Sequence, residues 1–252
     1  MADIWSFLDN NRICGLMKNL RPQQVGILIA AAVTVLLWLV PGGQLIVLPL
    51  QYLNTHLHEL SHALAAVFSG GSVDTIHVFA DGSGVTQASI SHPVIVGSAG
   101  YVGSSLIGAA IIVASRDERS ARRSLLAVFG LLLIECLLWL RGDAIGMTSG
   151  FSYMLLFLFL GLNLRGRLAV FAAQFVGLQQ CLNALQAVLV LLNPRILAFT
   201  DSDATILKDA TGVPAILWSS GWALLSVTLM VLAFLSAWSK PRDRPGSQAA
   251  AR

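Results

Sequence analysis

The chain has 252 residues, of which 56% are hydrophobic and 12% charged, with mean hydropathy +0.73; a soluble domain of this length carries about 25% charged residues, so a lipid bilayer is the expected solvent. The formal charge of +3 comes from Lys and Arg at the ends of apolar runs, which excludes the clustered basic face that nucleic-acid binding requires. Cys14, Cys136 and Cys181 are far apart and in no C-x-x-C arrangement, which argues against a disulfide framework and a thiolate metal site.

In chain order, residues 1–24 form a polar segment with Arg12, Lys18 and Arg21, ahead of an apolar run at about Val25–Val40. That run lacks a small-residue cleavage site and is followed by Pro41-Gly42-Gly43, so it reads as a retained first span. Further apolar segments lie at about Leu45–Ser69, Pro93–Ser115, Ser124–Leu140, Ala144–Leu162, Leu168–Leu192 and Val213–Trp238. Backbone polar groups in lipid must be satisfied within the segment, so runs of this length are helices. The expected fold is an all-α polytopic membrane protein with about six to seven transmembrane helices in a single domain over 25–238, followed by a polar tail at 239–252. If all seven segments span, the loop Arg116–Arg123, the pair Arg165 and Arg167, and the tail with Lys240, Arg242 and Arg244 share one side. The positive-inside rule then puts the N-terminus outside, and a different span count reverses this for part of the chain.

Two interruptions stand out. Residues 70–92 contain the strand-like stretches Val73–Phe79 and Val85–Ile90 around Asp81-Gly82-Ser83-Gly84, which predicts a β-hairpin. An exposed edge at Val73–Phe79 would suit strand addition by an extended peptide. The second interruption, Asn193–Thr211, carries Asp201, Asp203 and Asp209.

The chemistry centres on H-E-L-S-H at His58–His62. Residues four apart share a helix face, so His58 and His62 can address one metal ion while Glu59 stands beside it. Two His ligands leave room for a third protein ligand and a water whose pKa zinc lowers toward neutrality, with Glu59 as the general base. H-E-x-x-H is short enough to arise by chance, and its setting carries the weight. Three ionisable side chains within five residues of an apolar helix would each cost about 2.5 kcal/mol or more at a bilayer centre unless paired. A metal offsets that cost for all three; a purely structural polar cluster or a surface-lying helix are the alternatives. His56 falls on a different part of the helix, which suits a supporting role, and His77 and His92 read as ordinary loop histidines.

H-E-L-S-H in an apolar helix, the following S-G-G-S-V-D-T-I with its D-G-S-G-V-T turn, and A-G-Y-V-G-S-S-L-I-G-A in the next helix resemble the site-2 protease class of intramembrane zinc metalloproteases, in particular its short branch without a PDZ domain. The resemblance covers most of the chain from about Leu45 to the last helix. It implies zinc as cofactor, a membrane-embedded protein as substrate, and a third ligand from an aspartate in a later helix, commonly within N-P-x-D-G or L-D-G. Neither sequence occurs here. The segment D-S-D-A-T-I-L-K-D-A-T-G-V-P resembles a late motif of the short branch, with Asp203 in the aspartate position; Asp201 ranks second and Asp143, in L-R-G-D-A, third. An N-cap or loop charge is the competing role for Asp203.

Elsewhere, Glu135 within an apolar run calls for a partner or a proton. Gln179, Asn183 and Gln186 lie at helical spacing on one face, with Gln174 and Gln180 nearby, fit for interhelical hydrogen bonds or for lining an aqueous cavity; Asn183 is placed to hold a substrate carbonyl or to join helices. Gly97, Gly100, Gly103 and Gly108 predict a helix packed closely on a neighbour, with the H-E-L-S-H helix as the expected one. Hydrolysis of a peptide bond within or next to the membrane is the favoured function. Its rivals are an inactive zinc-binding membrane protein and an ion or proton transporter.

Overall fold

The computed structural model describes residues 20–142, 144–191 and 202–239, excepting the side chains of 187–191. The described chain forms α1 (Pro22–Leu39), α2 (Gly43–Phe68), β1 (Ser72–Val78), β2 (Gly84–Ser89), α3 (Pro93–Ala114), α4 (Glu118–Leu138), α5 (Ala144–Asn163), α6 (Gly166–Leu191), α7 (Asp203–Thr211) and α8 (Ala215–Trp238). Local chemistry fixes several ends. Gly42, at φ +80°, turns the chain between α1 and α2, a conformation that favours glycine. Asp117 caps α4 by accepting from the Ser120 amide at 3.0 Å, and the Ser120 hydroxyl accepts from the Asp117 amide at 3.2 Å. This reciprocal box satisfies donors that a helix start leaves open. Gly212, at φ +77°, closes α7 before Pro214 opens α8.

By length and composition α1, α3, α5, α6 over Gly166–Gln186, and α8 can cross a membrane. The two other expected segments are also continuous helices, of 26 residues in α2 and 21 in α4. They fall outside that set because α2 carries His56, His58 and Glu59, whereas α4 opens on Glu118, Arg119, Arg122 and Arg123. The six to seven expected spans therefore become five helices apolar enough by themselves and two polar ones packed among them.

α3 packs against α2, α6 and α8, while α4 packs on α5. The main core joins Leu53, Leu57 and Leu60 of α2 to Leu125, Val128 and Leu132 of α4, Phe157 of α5 and Ala173 of α6. Every residue of α2 from His56 to Ala63 is buried, which rules out a helix lying on the surface. The small-residue stripe of α3 does face α2: a Cβ at Gly100 would come within 2.4 Å of the His58 and His62 rings, and one at Gly103 within 2.7 Å of Ser61.

The hairpin is antiparallel, pairing Ser72 with Ser89 and Val78 with Gly84, with a bulge between Val73 and Thr75. Its outer β1 edge is not free, contrary to the sequence expectation for Val73–Phe79. The Ile76 amide donates to the Trp139 carbonyl at 2.8 Å and the Arg141 amide to the Ile76 carbonyl at 2.9 Å. The chain leaving α4 takes this edge because buried Ile76 and Leu140 share one apolar cluster. The other edge, on β2, makes no backbone bond among the described residues.

Candidate metal centre

α2 turns a different face to each neighbour. On the first, Thr55 donates its hydroxyl to the Gly82 carbonyl at 2.6 Å, and one turn later Thr86 of β2 donates to the Glu59 carboxylate at 2.7 Å. Hydroxyl and helix thus fix both the hairpin tip and the Glu59 side chain. The tip itself is stiffened by Asp81, which accepts from the Ser83 hydroxyl at 2.6 Å and amide at 2.9 Å; these bonds hold its carboxyl below the usual range.

The second face carries Asn54, His58 and His62. The Asn54 amide oxygen accepts from Gln180 at 2.6 Å. The His62 Nδ1–H donates to the Val96 carbonyl at 2.6 Å, which leaves Nε2 with its lone pair free, the tautomer a metal ligand needs. His58 Nδ1 lies 3.5 Å from the Asn183 amide nitrogen; with the amide turned over, its oxygen accepts from Nδ1–H and leaves Nε2 free for a metal. Both Nε2 atoms converge on Asp203 Oδ2, at 3.0 Å from His58 and 3.3 Å from His62, and they are 3.1 Å from each other.

These separations suit a zinc ion. Ligands at about 2.0–2.1 Å from a tetrahedral zinc ion are about 3.3 Å apart, so two imidazole nitrogens and a carboxylate oxygen at 3.0–3.3 Å match three corners of such a site. The donors suit zinc chemically, and their ligand atoms all lie within 4.8 Å of one another. Asp203 is the first residue of α7, and Ser202 is the N-cap, accepting from the Thr205 amide at 3.3 Å. The competing role anticipated for Asp203 therefore belongs to its neighbour. Asp201 and Asp143 lie outside the described residues.

A cavity of about 240 Å³ opens beside His58 and Asp203, lined also by Glu59, Gly84, Tyr101, Asn183 and Gln186. The polar stripe of α6 thus divides: Asn183 and Gln186 face the cavity, whereas Gln179 donates to Thr34 at 3.0 Å and Gln174 to the Ser115 carbonyl at 2.9 Å. His56 points elsewhere, with Nδ1 at 2.8 Å from Glu135 and Nε2 at 2.9 Å from Ser149. His77 bonds Thr75 at 3.1 Å, and His92 precedes α3 without a capping bond from its side chain.

Sequence reasoning gave no role to Thr86, Tyr101 or Ser219; the first two stand in the D-G-S-G-V-T and A-G-Y-V-G stretches, and Ser219 in neither. Tyr101 packs edge-on against His58 with ring centroids 4.5 Å apart, and stacks on Trp222 at 5.1 Å. The motif A-G-Y-V-G held the only signal for it, since Gly100 marks the close approach to α2.

Compared with known families, residues 28–233 match the model described as Peptidase M50B-like. No curated protein and no solved structure matches the chain.

Proposed function

The chain belongs to the Peptidase M50B-like family, the site-2 protease family, and is an integral multi-pass membrane protein; on that premise we propose that it is a zinc-dependent endopeptidase cutting peptide bonds within or next to the membrane. The observation that carries the reading is the convergence of His58, His62 and Asp203 at a cavity lined by two of them, His58 and Asp203, and by Glu59.

His58, His62 and Asp203 are the proposed ligands, with the Val96 carbonyl and Asn183 orienting the two rings. When bound, zinc would polarise the scissile carbonyl and lower the pKa of a coordinated water toward neutrality. Glu59 takes the proton of the attacking water and delivers it to the leaving amine. The Thr86 hydroxyl holds one carboxylate oxygen of Glu59 and leaves the other available for this transfer.

The substrate is a membrane-embedded protein segment, which must be unwound before its peptide bonds are accessible. The open edge of β2 supports strand addition beside Glu59, the role that the occupied β1 edge cannot fill. A proline scan through Val85–Ala88 should lower cleavage without changing zinc content; unchanged cleavage throughout would remove the strand from the account.

The direct test is cleavage of a model transmembrane peptide together with zinc content. Glu59→Gln should keep the metal and lose about 10²–10⁴-fold in rate. A wild type that holds zinc and cleaves nothing would favour the inactive zinc-binding protein instead.

A further inference from the structure

Several polar side chains around the cavity already have work to do. The Thr55 hydroxyl donates to the Gly82 carbonyl and the Ser83 hydroxyl to Asp81, while Asn183 stands against the His58 ring. The Ser219 hydroxyl has no partner, but it is closed off from the cavity space. Tyr101 of α3 differs from all of these. It lines the cavity, and its printed bonds are to its backbone alone, where the carbonyl accepts from Ser104 at 3.2 Å and from Ser105 at 2.6 Å. Its phenolic hydroxyl has no partner among the described residues, yet it is not one of the sealed, unpartnered atoms of the interior.

The ring that carries this hydroxyl is held on two sides. It packs edge-on against His58, with centroids 4.5 Å apart, and stacks on Trp222 of α8 at 5.1 Å. Gly100, the preceding residue, lets α3 close on both candidate ligand rings, since a Cβ there would come within 2.4 Å of each Nε2. The charges of Asp203 and Glu59 both reach the phenol. Tyr101 thus offers a free donor on a fixed ring, beside one proposed ligand and within the field of another and of the proposed base.

Amide hydrolysis needs such a donor at one moment. As water adds to the scissile carbonyl, the carbonyl oxygen takes up negative charge. A donor aimed at that oxygen stabilises the transition state more than the bound substrate. A ring already locked by packing provides it without reorganisation at the moment of reaction.

We infer that Tyr101 is a catalytic residue, whose hydroxyl donates a hydrogen bond to the oxygen of the scissile carbonyl as that oxygen becomes negative. This deepens the proteolytic reading and rests on it. Removing one such donor costs about 10²–10³-fold in kcat.

The test compares the full-length wild type with Tyr101→Phe, which keeps the ring and its two stacking partners. Cleavage of a model transmembrane peptide should show kcat lowered about 10²–10³-fold, with KM within about twofold. Zinc content and Tm should be unchanged, because the hydroxyl bonds nothing in the unbound protein. Two binding measurements separate catalysis from packing. A peptide analogue with a tetrahedral phosphinic group in place of the scissile amide should bind Tyr101→Phe more weakly, by about the factor lost in kcat/KM. The peptide substrate itself, measured in a Glu59→Gln background, should keep its Kd when Tyr101→Phe is added. A kcat and an analogue affinity both within about threefold of wild type would overturn the inference and leave proteolysis standing. So would a loss of kcat matched by weaker substrate binding or by loss of zinc, which would make the hydroxyl a structural group. A wild type without cleavage would overturn the proteolytic reading itself.

Discussion

His56 and His58 are two residues apart on α2, both buried in the same apolar bundle, yet their surroundings differ in kind. Both ring nitrogens of His56 are committed, to Glu135 and Ser149, so no lone pair remains for a metal and the group ties α2 to α4 and α5. His58 and His62 each have one nitrogen beside a protein partner, and both Nε2 atoms turn toward Asp203 at the cavity. Residue type and burial alone therefore do not make a ligand. The deciding feature is whether a nitrogen is left over on the side where other donors converge.

The contrast can be broken in graded ways. Glu135→Ala strands the His56 ring in the core and should lower stability by about 3–5 kcal/mol, read as thermal unfolding in detergent, with zinc affinity nearly unchanged. If it strips the metal and spares Tm instead, the two clusters are not separate. Asp203→Ala should do the reverse, weakening zinc binding by about a hundredfold or more, roughly 2.7 kcal/mol, with a small change in folding; competition with a chelator measures it. Gly100→Ala should affect both clusters' helix, since the new methyl meets the His58 and His62 rings; a loss of about 1–3 kcal/mol in stability accompanied by weaker zinc binding is expected. Smallest is Asp117→Ala, far from either cluster, at about 1 kcal/mol. The Asp117 carboxyl is held below its ordinary range by the Ser120 amide and hydroxyl. The stabilisation from that cap is thus complete above the ordinary aspartate pKa and fades as pH falls through the lowered one, a loss that Asp117→Ala should not show.

Much of this arrangement was legible in the chain. H-E-L-S-H stood out because ionisable residues are costly in an apolar helix, the D-G-S-G turn marked the hairpin, and the small residues of α3 marked the helix that packs on α2. Asp203 was reached through resemblance to a motif, since one aspartate before a short helix looks like a cap. What stayed hidden depends on tertiary contact. No local pattern says that β1 gives its outer edge to residues 139–141, that the Val96 carbonyl sets the His62 tautomer, or that the Tyr101 ring lies against His58. Span number was ambiguous for a related reason: α2 and α4 are polar enough to look marginal alone, and their burial comes from the neighbours.

The central claim is a metal held by two imidazoles and one carboxylate. X-ray absorption at the zinc edge on the purified full-length protein tests it most directly. The expected result is one zinc per chain, with two imidazole nitrogens and carboxylate or water oxygens at about 2.0–2.2 Å and no sulfur, and one fewer protein oxygen in Asp203→Ala. A site with sulfur at about 2.3 Å, or a wild type that binds no zinc, would contradict the account.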